Sequence, residues 1–335
     1  TKIVPNIEVE CGPMEIKIWQ GDWDLPTVDL HCLQAVAYIK FSGAPVKLQP
    51  VRTPFFVSGK KLPVIENGQI NTTYSSFSQI TEMLREQGFN ADYTLNPHQH
   101  GSVIAYHEYL KFKLYPAIQY IWWLDNTNYV ELTRPWYAKA LQFPFNYFYP
   151  GNYQRKAAEY VRALFPNEDI EWEESRQCVE NIIYKNAQEC IATLSTKLGS
   201  NEYIFGNSPC SLDAIVFAYL AVILKTPFRN AALQNHVKGF SNLVNYVQKI
   251  LNRYFPSYKY DAHIRPHLLE NEDLQVDEFP HHKRNKLVAV IVGCVAIFLY
   301  SVSTGMLSFE NDDVGSRPSR FRENEQDTIF SDNDG

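Results

Sequence analysis

The stretch LPVIENGQIN, residues 62–71, predicts a β-hairpin at the centre of an α/β unit. Its two short apolar pieces, LPVIE and QIN, are joined by Asn67-Gly68, a dipeptide that favours the tight turn between antiparallel strands. Pro63 stands just before the first piece becomes apolar and extended. We therefore expect a third strand after Pro63 and a partner strand after the turn.

The flanking sequence extends this hairpin into a larger unit. Upstream, residues 15–19 (EIKIW) alternate as a strand, residues 25–41 have helical spacing, and residues 46–51 (VKLQPV) are strand-like again. Downstream, residues 76–87 form an amphipathic helical pattern that Gly88 ends. The predicted order is strand, helix, strand, hairpin, helix.

After this unit the apolar spacing becomes helical. An all-helical domain is predicted from runs at 98–124, 151–165, 171–198, 211–225 and 239–254. Pro116 interrupts the first run, so that helix is expected to kink or divide near Leu114.

Residues 287–307, LVAVIVGCVAIFLYSVSTGML, contain no charged residue. Twenty-one residues at about 1.5 Å each reach about 31 Å, which matches the hydrocarbon thickness of a bilayer. The segment from Leu287 through Gly293 to Leu307 is therefore predicted to be a transmembrane helix near the carboxyl end. A fully buried core helix is the alternative, but such a helix normally keeps a polar stripe.

A basic flank precedes the predicted anchor, with Lys283, Arg284 and Lys286. Short basic flanks stay cytosolic, so the large preceding domain is expected to face the cytosol. Residues 308–335 carry eight acidic residues against three arginines and are predicted to be disordered.

Composition excludes some function classes. The net charge is −6 and the lysines and arginines are dispersed, which argues against nucleic acid as a partner. Six cysteines without C-x-x-C spacing are typical of thiols in a reducing compartment. No His or Cys spacing indicates a metal site.

Several sequence blocks carry a family resemblance. They are WWLD at 122–125, TRPWYA at 133–138, FPFN at 143–146, NAQEC at 186–190 and SLDAIVF at 211–217. With these blocks the chain resembles the metaxin family, most closely its metaxin 1-like branch, within the glutathione transferase-like structural group.

The resemblance implies a mitochondrial outer-membrane protein with its globular part in the cytosol and its tail in the intermembrane space. It implies a role in protein import and β-barrel sorting and assembly. The implied partners are a metaxin 2-like protein, the sorting and assembly machinery, precursor proteins and the lipid bilayer. Two alternatives stay open: a membrane-anchored glutathione-dependent transferase, and an adaptor that links mitochondria to transport machinery.

The predicted architecture is a thioredoxin-like α/β domain, an all-helical glutathione transferase-like domain and a single carboxyl-terminal transmembrane helix. The expected boundaries are 1–92 for the α/β domain, 93–260 for the helical domain, 261–286 for a linker with the basic flank, 287–307 for the anchor and 308–335 for the acidic tail.

Transferases of this group need a Tyr, Ser or Cys near the end of the first strand. Residues 20–27 contain none, and Thr27, their only hydroxyl, is interpreted as a helix N-cap. Asp22 and Asp24 would repel a thiolate. Cys32 is predicted to lie inside the first helix as a packed residue. We therefore expect no catalytic residue, no cofactor and no enzyme activity.

Other features of a glutathione site are vestigial. Pro63 fits the cis-proline that this group and all thioredoxin-like folds share. Ser75 and Ser76 are the remaining candidates for hydroxyl contacts, although in one register Phe77 takes the place of the usual serine.

Two further sites are predicted in the helical domain. Asp213 is expected in a capping box, but Cys210 stands three residues before it, so Ser208 or Ser211 is expected to provide the cap. Arg134 and Trp136 are possible partner contacts, with a role in domain packing equally open.

Overall fold

The computed structural model describes residues 14–52, 61–67, 72–165 and 172–256, and, near the carboxyl end, residues 290, 293–295, 297, 300 and 301. Side chains of the eighth helix are described from residue 177 onward. Contacts divide the chain into two compact units, Thr1–His282 and Lys283–Gly335.

The first unit begins with a four-stranded sheet of order β2-β1-β3-β4. Its strands are β1 (Met14–Ile18), β2 (Val46–Pro50), β3 (Val64–Asn67) and β4 (Thr72–Tyr74). β1 pairs parallel with β2 and antiparallel with β3, and β3 pairs antiparallel with β4. This is the thioredoxin-like arrangement that the order of elements predicts.

The predicted hairpin is present as β3 and β4, with Asn67 paired to Thr72. Residues 68–71 lie outside the described residues. They contain Gly68 of the predicted Asn67-Gly68 turn and the predicted strand piece QIN at 69–71.

Two helices complete the α/β part, α1 (Leu30–Ser42) and α2 (Phe77–Glu86). α1 starts five residues later than the pattern at 25–41 predicts, and it ends at Gly43, whose φ of 71° favours glycine. Residues 32–39 of α1 are all buried, because the helix packs against the ninth helix of the fold as well as within its own domain.

The rest of the first unit is helical. Its α-helices are α3 (Pro97–Lys113), α4 (Tyr115–Gln119), α5 (Asn126–Asn128), α6 (Arg134–Ala140), α7 (Phe145–Leu164), α8 (Trp172–Leu198), α9 (Ser211–Lys225), α10 (Ala232–Lys238) and α11 (Ser241–Tyr254). Short π-helical turns, Tyr120–Leu124 and Tyr129–Thr133, join α4 to α6.

The predicted division of the first helical run is confirmed, because α3 ends at Lys113 and Leu114 caps it. The helical run predicted at 151–165 starts too late. The helix begins at Phe145 and keeps Pro150 buried inside it, so packing outweighs the helix-breaking tendency of proline.

The beginning of α9 corrects another prediction. Cys210, and neither Ser208 nor Ser211, is the N-cap. The Asp213 carboxylate accepts a hydrogen bond of 3.0 Å from the Cys210 backbone N–H and another of 3.0 Å from the Tyr246 hydroxyl. Asp213 is fully buried, and this explains why the capping side chain is hydrogen-bonded on both oxygens.

The described positions of the second unit are helical, and the Ser301 hydroxyl donates to the Ile297 carbonyl at 2.8 Å. In the described part of the chain, no helix combines the length and the apolar character needed to cross a bilayer. Most of the predicted anchor at 287–307, including Leu287 and Leu307, and the basic flank at 283–286 lie outside the described residues. Gly293 is described and helical.

Candidate binding cleft

The loop after β1 is tied to the helical domain by its two carboxylates. The Trp136 indole N–H donates to Asp22 Oδ2 at 2.9 Å, and Lys225 Nζ donates to Asp24 Oδ2 at 3.2 Å. The Trp23 ring lies 6.0 Å from the Trp136 ring. The sequence predicts that these two carboxylates would repel a thiolate. In the structure they join the loop to the helical domain.

The N-cap prediction for Thr27 is wrong. α1 begins at Leu30, and the Asp29 carboxylate is its cap, accepting a hydrogen bond of 2.9 Å from the Cys32 backbone N–H. Aspartate fits this place because its oxygen satisfies a free N–H in the first turn. Thr27 is instead fully buried.

The delayed start of α1 also moves Cys32 into the first turn, where the sequence placed it farther inside. The prediction that it is a packed residue is confirmed, since its side chain is fully buried. Burial, followed by the negative charge of Asp29, holds the pKa of the Cys32 thiol well above its ordinary value. A thiol of this kind stays protonated and is a poor nucleophile.

The features predicted as remnants of a glutathione site lie at the ends of two paired strands, because Pro63 precedes β3, Ser75 follows β4, and Ile65 pairs with Tyr74. The Leu62–Pro63 bond is cis and immediately precedes β3. Ser76 is the N-cap of α2, where its hydroxyl accepts from the Gln79 N–H at 3.3 Å, and the Ser75 N–H donates to Gln79 Oε1 at 3.3 Å. Both serines therefore organise the start of α2.

A cleft of about 280 Å³ opens between the β1–α1 loop, the residues before Pro63, the turn Tyr120–Leu124, and helices α4, α6, α7 and α9. Seven of the eighteen residues that line it are Trp or Tyr, and they come from five separate parts of the first unit. The aromatic lining residues are Trp19, Tyr115, Trp122, Trp123, Tyr137, Tyr153 and Tyr160.

The rings in this cleft hold one another in place. Tyr137 contacts Trp19 edge to face at 5.3 Å and lies 5.1 Å from Trp123. Trp123 in turn lies 5.3 Å from Tyr153. Edge-to-face and tilted pairs at these distances are favourable and fix the shape of the walls.

Carboxylate, imidazole and ammonium side chains line the same cleft. Asp29 contributes a carboxylate, and His31, Lys61 and Lys156 are exposed at its edge. Burial, and after it the charge of Asp29, raises the pKa of Tyr115, so this phenol stays neutral at physiological pH. The arrangement suits ligand binding by ring contacts and charge.

The tetrad that contains Arg134 and Trp136 lies at the start of α6. Trp136 is half-buried and bonded to Asp22, as the domain-packing alternative predicts. Arg134 is also partly buried. A role of either residue in contacting a partner stays a prediction.

The cleft is not predicted from the sequence. The sequence feature that points to it is the high density of aromatic residues from Tyr106 to Tyr160. Helical spacing does not tell which of these rings face a common space. The described residues contain no group of His, Cys, Asp and Glu that would hold a metal ion.

Similar proteins identify the family. Residues 32–154 match the family model described as outer mitochondrial membrane transport complex protein, and residues 187–250 match that of the glutathione S-transferase C-terminal domain. The second match agrees with the predicted type of helical domain.

Two glutathione S-transferase structures from Ceriporiopsis subvermispora, both with glutathione, are similar at 15% and 13% identity. Their TM-scores are 0.48 and 0.49, with 72% and 74% of this chain and 99% and 98% of theirs covered.

Relatives that match most of this chain give the stronger comparison. Metaxin-1 of Macaca fascicularis is 36% identical over 90% of this chain and 93% of its own length. Metaxin-1 of Homo sapiens is 36% identical over 90% of this chain, which spans 63% of that relative's length. Metaxin-3 of Xenopus laevis is 37% identical over 73% of this chain and 77% of its own length. The chain belongs to the metaxin family.

Proposed function

We propose that this chain is a non-enzymatic subunit of a transport complex of the mitochondrial outer membrane. The observation that carries this proposal is the match of residues 32–154 to the outer-membrane transport family, together with the metaxin relatives over nine-tenths of the chain. Its specific role would be protein import and the sorting and assembly of β-barrel proteins.

The chemistry of the β1–α1 loop supports a non-enzymatic role. Residues 20–27 offer no Tyr, Ser or Cys, Thr27 is fully buried, and the Cys32 thiol is buried with a raised pKa. A transferase must stabilise the glutathione thiolate, and a carboxylate at Asp29 opposes an anion there.

A tail anchor at 287–307 would hold the globular part on the cytosolic face, with the basic flank at 283–286 on the same side. Alkaline carbonate extraction of mitochondria tests this part. We expect the wild-type chain in the membrane pellet and a Val295→Arg, Ile297→Arg double variant in the supernatant, because charge in the bilayer is costly. Ser301→Ala is the matched control and is expected to stay in the pellet.

Release of the wild-type protein by carbonate would contradict the anchor while leaving family membership intact. Protease protection adds the topology. An epitope at the carboxyl end should resist protease in intact mitochondria, whereas the globular part should be cleaved. Cleavage of both would refute a tail in the intermembrane space.

The partners follow from the same proposal. We expect affinity purification from mild-detergent extracts of mitochondria to recover a metaxin 2-like protein and components of the sorting and assembly machinery in stoichiometric amounts. Depletion of the chain should slow assembly of a newly imported β-barrel precursor. Recovery of transport-motor components alone would favour the adaptor instead.

A membrane-anchored glutathione transferase is the second candidate, favoured by the cis bond at Pro63 and by the cleft beside it. Retention of the purified chain on immobilised glutathione, with turnover of a generic electrophile, would support it. We expect neither retention nor turnover, since residues 20–27 contain no Tyr, Ser or Cys to activate the glutathione thiol.

A further inference from the structure

We propose that the aromatic cleft binds a zwitterion that joins an alkylammonium group to a neighbouring anionic group, with phosphocholine as the simplest example. This inference goes beyond the transport role and rests on the cleft alone. The cleft combines aromatic walls, a carboxylate and two lysines around about 280 Å³.

The aromatic walls supply the site for the cation. Trp123 contacts Tyr137 at 5.1 Å and Tyr153 at 5.3 Å, and all three residues line the cleft, so three helical segments together form one aromatic wall. Trp and Tyr faces attract alkylammonium groups, and cages of such rings recognise quaternary ammonium ligands. These rings are locked by mutual contacts, so a ligand need not order them on binding.

Asp29 supplies the countercharge for the ammonium group. One of its oxygens caps α1 through the Cys32 N–H at 2.9 Å, which fixes the carboxylate at the wall of the cleft. Its charge extends across the cleft. The pKa values of Tyr115 and Tyr137 are raised mainly by burial and next by the negative charge of Asp29. A cation among these rings therefore lies in a favourable field.

The lysines make a simple cation a poor ligand. Lys61 and Lys156 line the same cleft, and Lys156 Nζ lies 5.7 Å from the centre of the Tyr153 ring. Two ammonium groups at the edge repel a lone cation and attract an anion beside it. A ligand with both charges satisfies Asp29 and the lysines together, and lysine is a common partner of phosphate.

The ligand has two possible sources, a soluble metabolite and a lipid headgroup. We would titrate the full chain, purified in dodecyl maltoside, with phosphocholine and with dihexanoyl-phosphatidylcholine below its micelle concentration. Tryptophan fluorescence should respond to binding, since three of the six tryptophans, Trp19, Trp122 and Trp123, line the cleft. Saturable binding of phosphocholine is expected. Tighter binding of the lipid by tenfold or more would indicate the membrane source, and equal affinity the soluble one.

Variants separate the parts of the site. Asp29→Asn keeps a good N-cap and removes the charge, so the fold is expected to survive while phosphocholine affinity falls at least about tenfold. Lys156→Gln should weaken binding about threefold, as for an exposed charge. Lys249→Gln on α11 is the matched control and should leave the affinity unchanged. Thermal melting of each variant verifies its fold.

Three results would overturn the proposal. The first is no saturable binding of phosphocholine at millimolar concentration. The second is unchanged affinity in a folded Asp29→Asn variant. The third is equal binding of glycerol phosphate, which has the anion without the ammonium group. Each is independent of whether the chain is found in an import complex, so failure here leaves the proposed function standing.

Discussion

The Asp92 carboxylate accepts a hydrogen bond of 2.6 Å from the backbone N–H of Ser211, 119 residues away in sequence. Asp92 is 1% exposed and also forms an ion pair with Arg85 of α2. A buried carboxylate at the end of the α/β domain thus caps the first turn of α9, the central helix of the helical domain. Negative charge at a helix N-terminus is stabilising, and here the carboxylate also links two domains.

Asp92→Ala is expected to lower the free energy of unfolding by about 2–3 kcal/mol, because it leaves a buried N–H and the Arg85 guanidinium without their partner. Chemical denaturation measures the change. Asp92→Asn keeps an acceptor for the Ser211 N–H and should lose less. Equal, small losses in both variants would show that this link contributes little.

The capping box of α9 gives a graded test. Asp213→Ala should destabilise the protein by about 1–3 kcal/mol, because several buried donors lose their acceptor. Cys210→Ala should cost about 1 kcal/mol, whereas Cys210→Ser places a preferred N-cap residue there and should retain or raise the melting temperature. An unchanged melting temperature in Asp213→Ala would refute the assignment.

Trp136 allows packing and partner contact to be distinguished. Trp136→Phe keeps a ring beside Trp23 but removes the N–H that binds Asp22, so we expect a loss of about 1 kcal/mol in stability. Asp22→Asn, which retains an acceptor oxygen, is the matched control. If Trp136→Phe melts like wild type yet loses its partners in a pull-down, partner contact and not packing is its main role.

The thiols should react according to their burial. Cys178 is exposed, whereas Cys32, Cys190 and Cys210 are buried. Burial raises the pKa of Cys190 to about 12 and that of Cys32 well above its ordinary value. Iodoacetamide on the native chain should label Cys178 at least about tenfold faster than these three.

Raising the pH from 7 to 8.5 should leave Cys32 unlabelled in the folded protein, since its raised pKa keeps the thiol protonated in this range. Peptide mass spectrometry after a time course gives the rate at each site. Fast modification of Cys32 in the folded protein would contradict its burial and reopen a redox role for the first turn of α1.

Local pattern predicted the order of the elements well. Alternation in residues 15–19 and helical spacing in α2 and α9 depend on neighbours in sequence, so the strands and long helices were recognisable. Boundaries were less predictable. The start of α1 depends on the Asp29 side chain binding the Cys32 N–H, and spacing favoured an earlier start at Leu25.

By itself, then, the sequence determined the succession of strands and helices, the family, and the lack of a thiol-activating side chain after β1. Only the tertiary structure decided that Trp19 and Asp29 face Tyr115, Trp123 and Tyr153 across one cleft. These residues are far apart along the chain, and no sequence period relates them. Their meeting follows from the packing of α1, α4 and α7 around a shared core, which is a property of the whole fold.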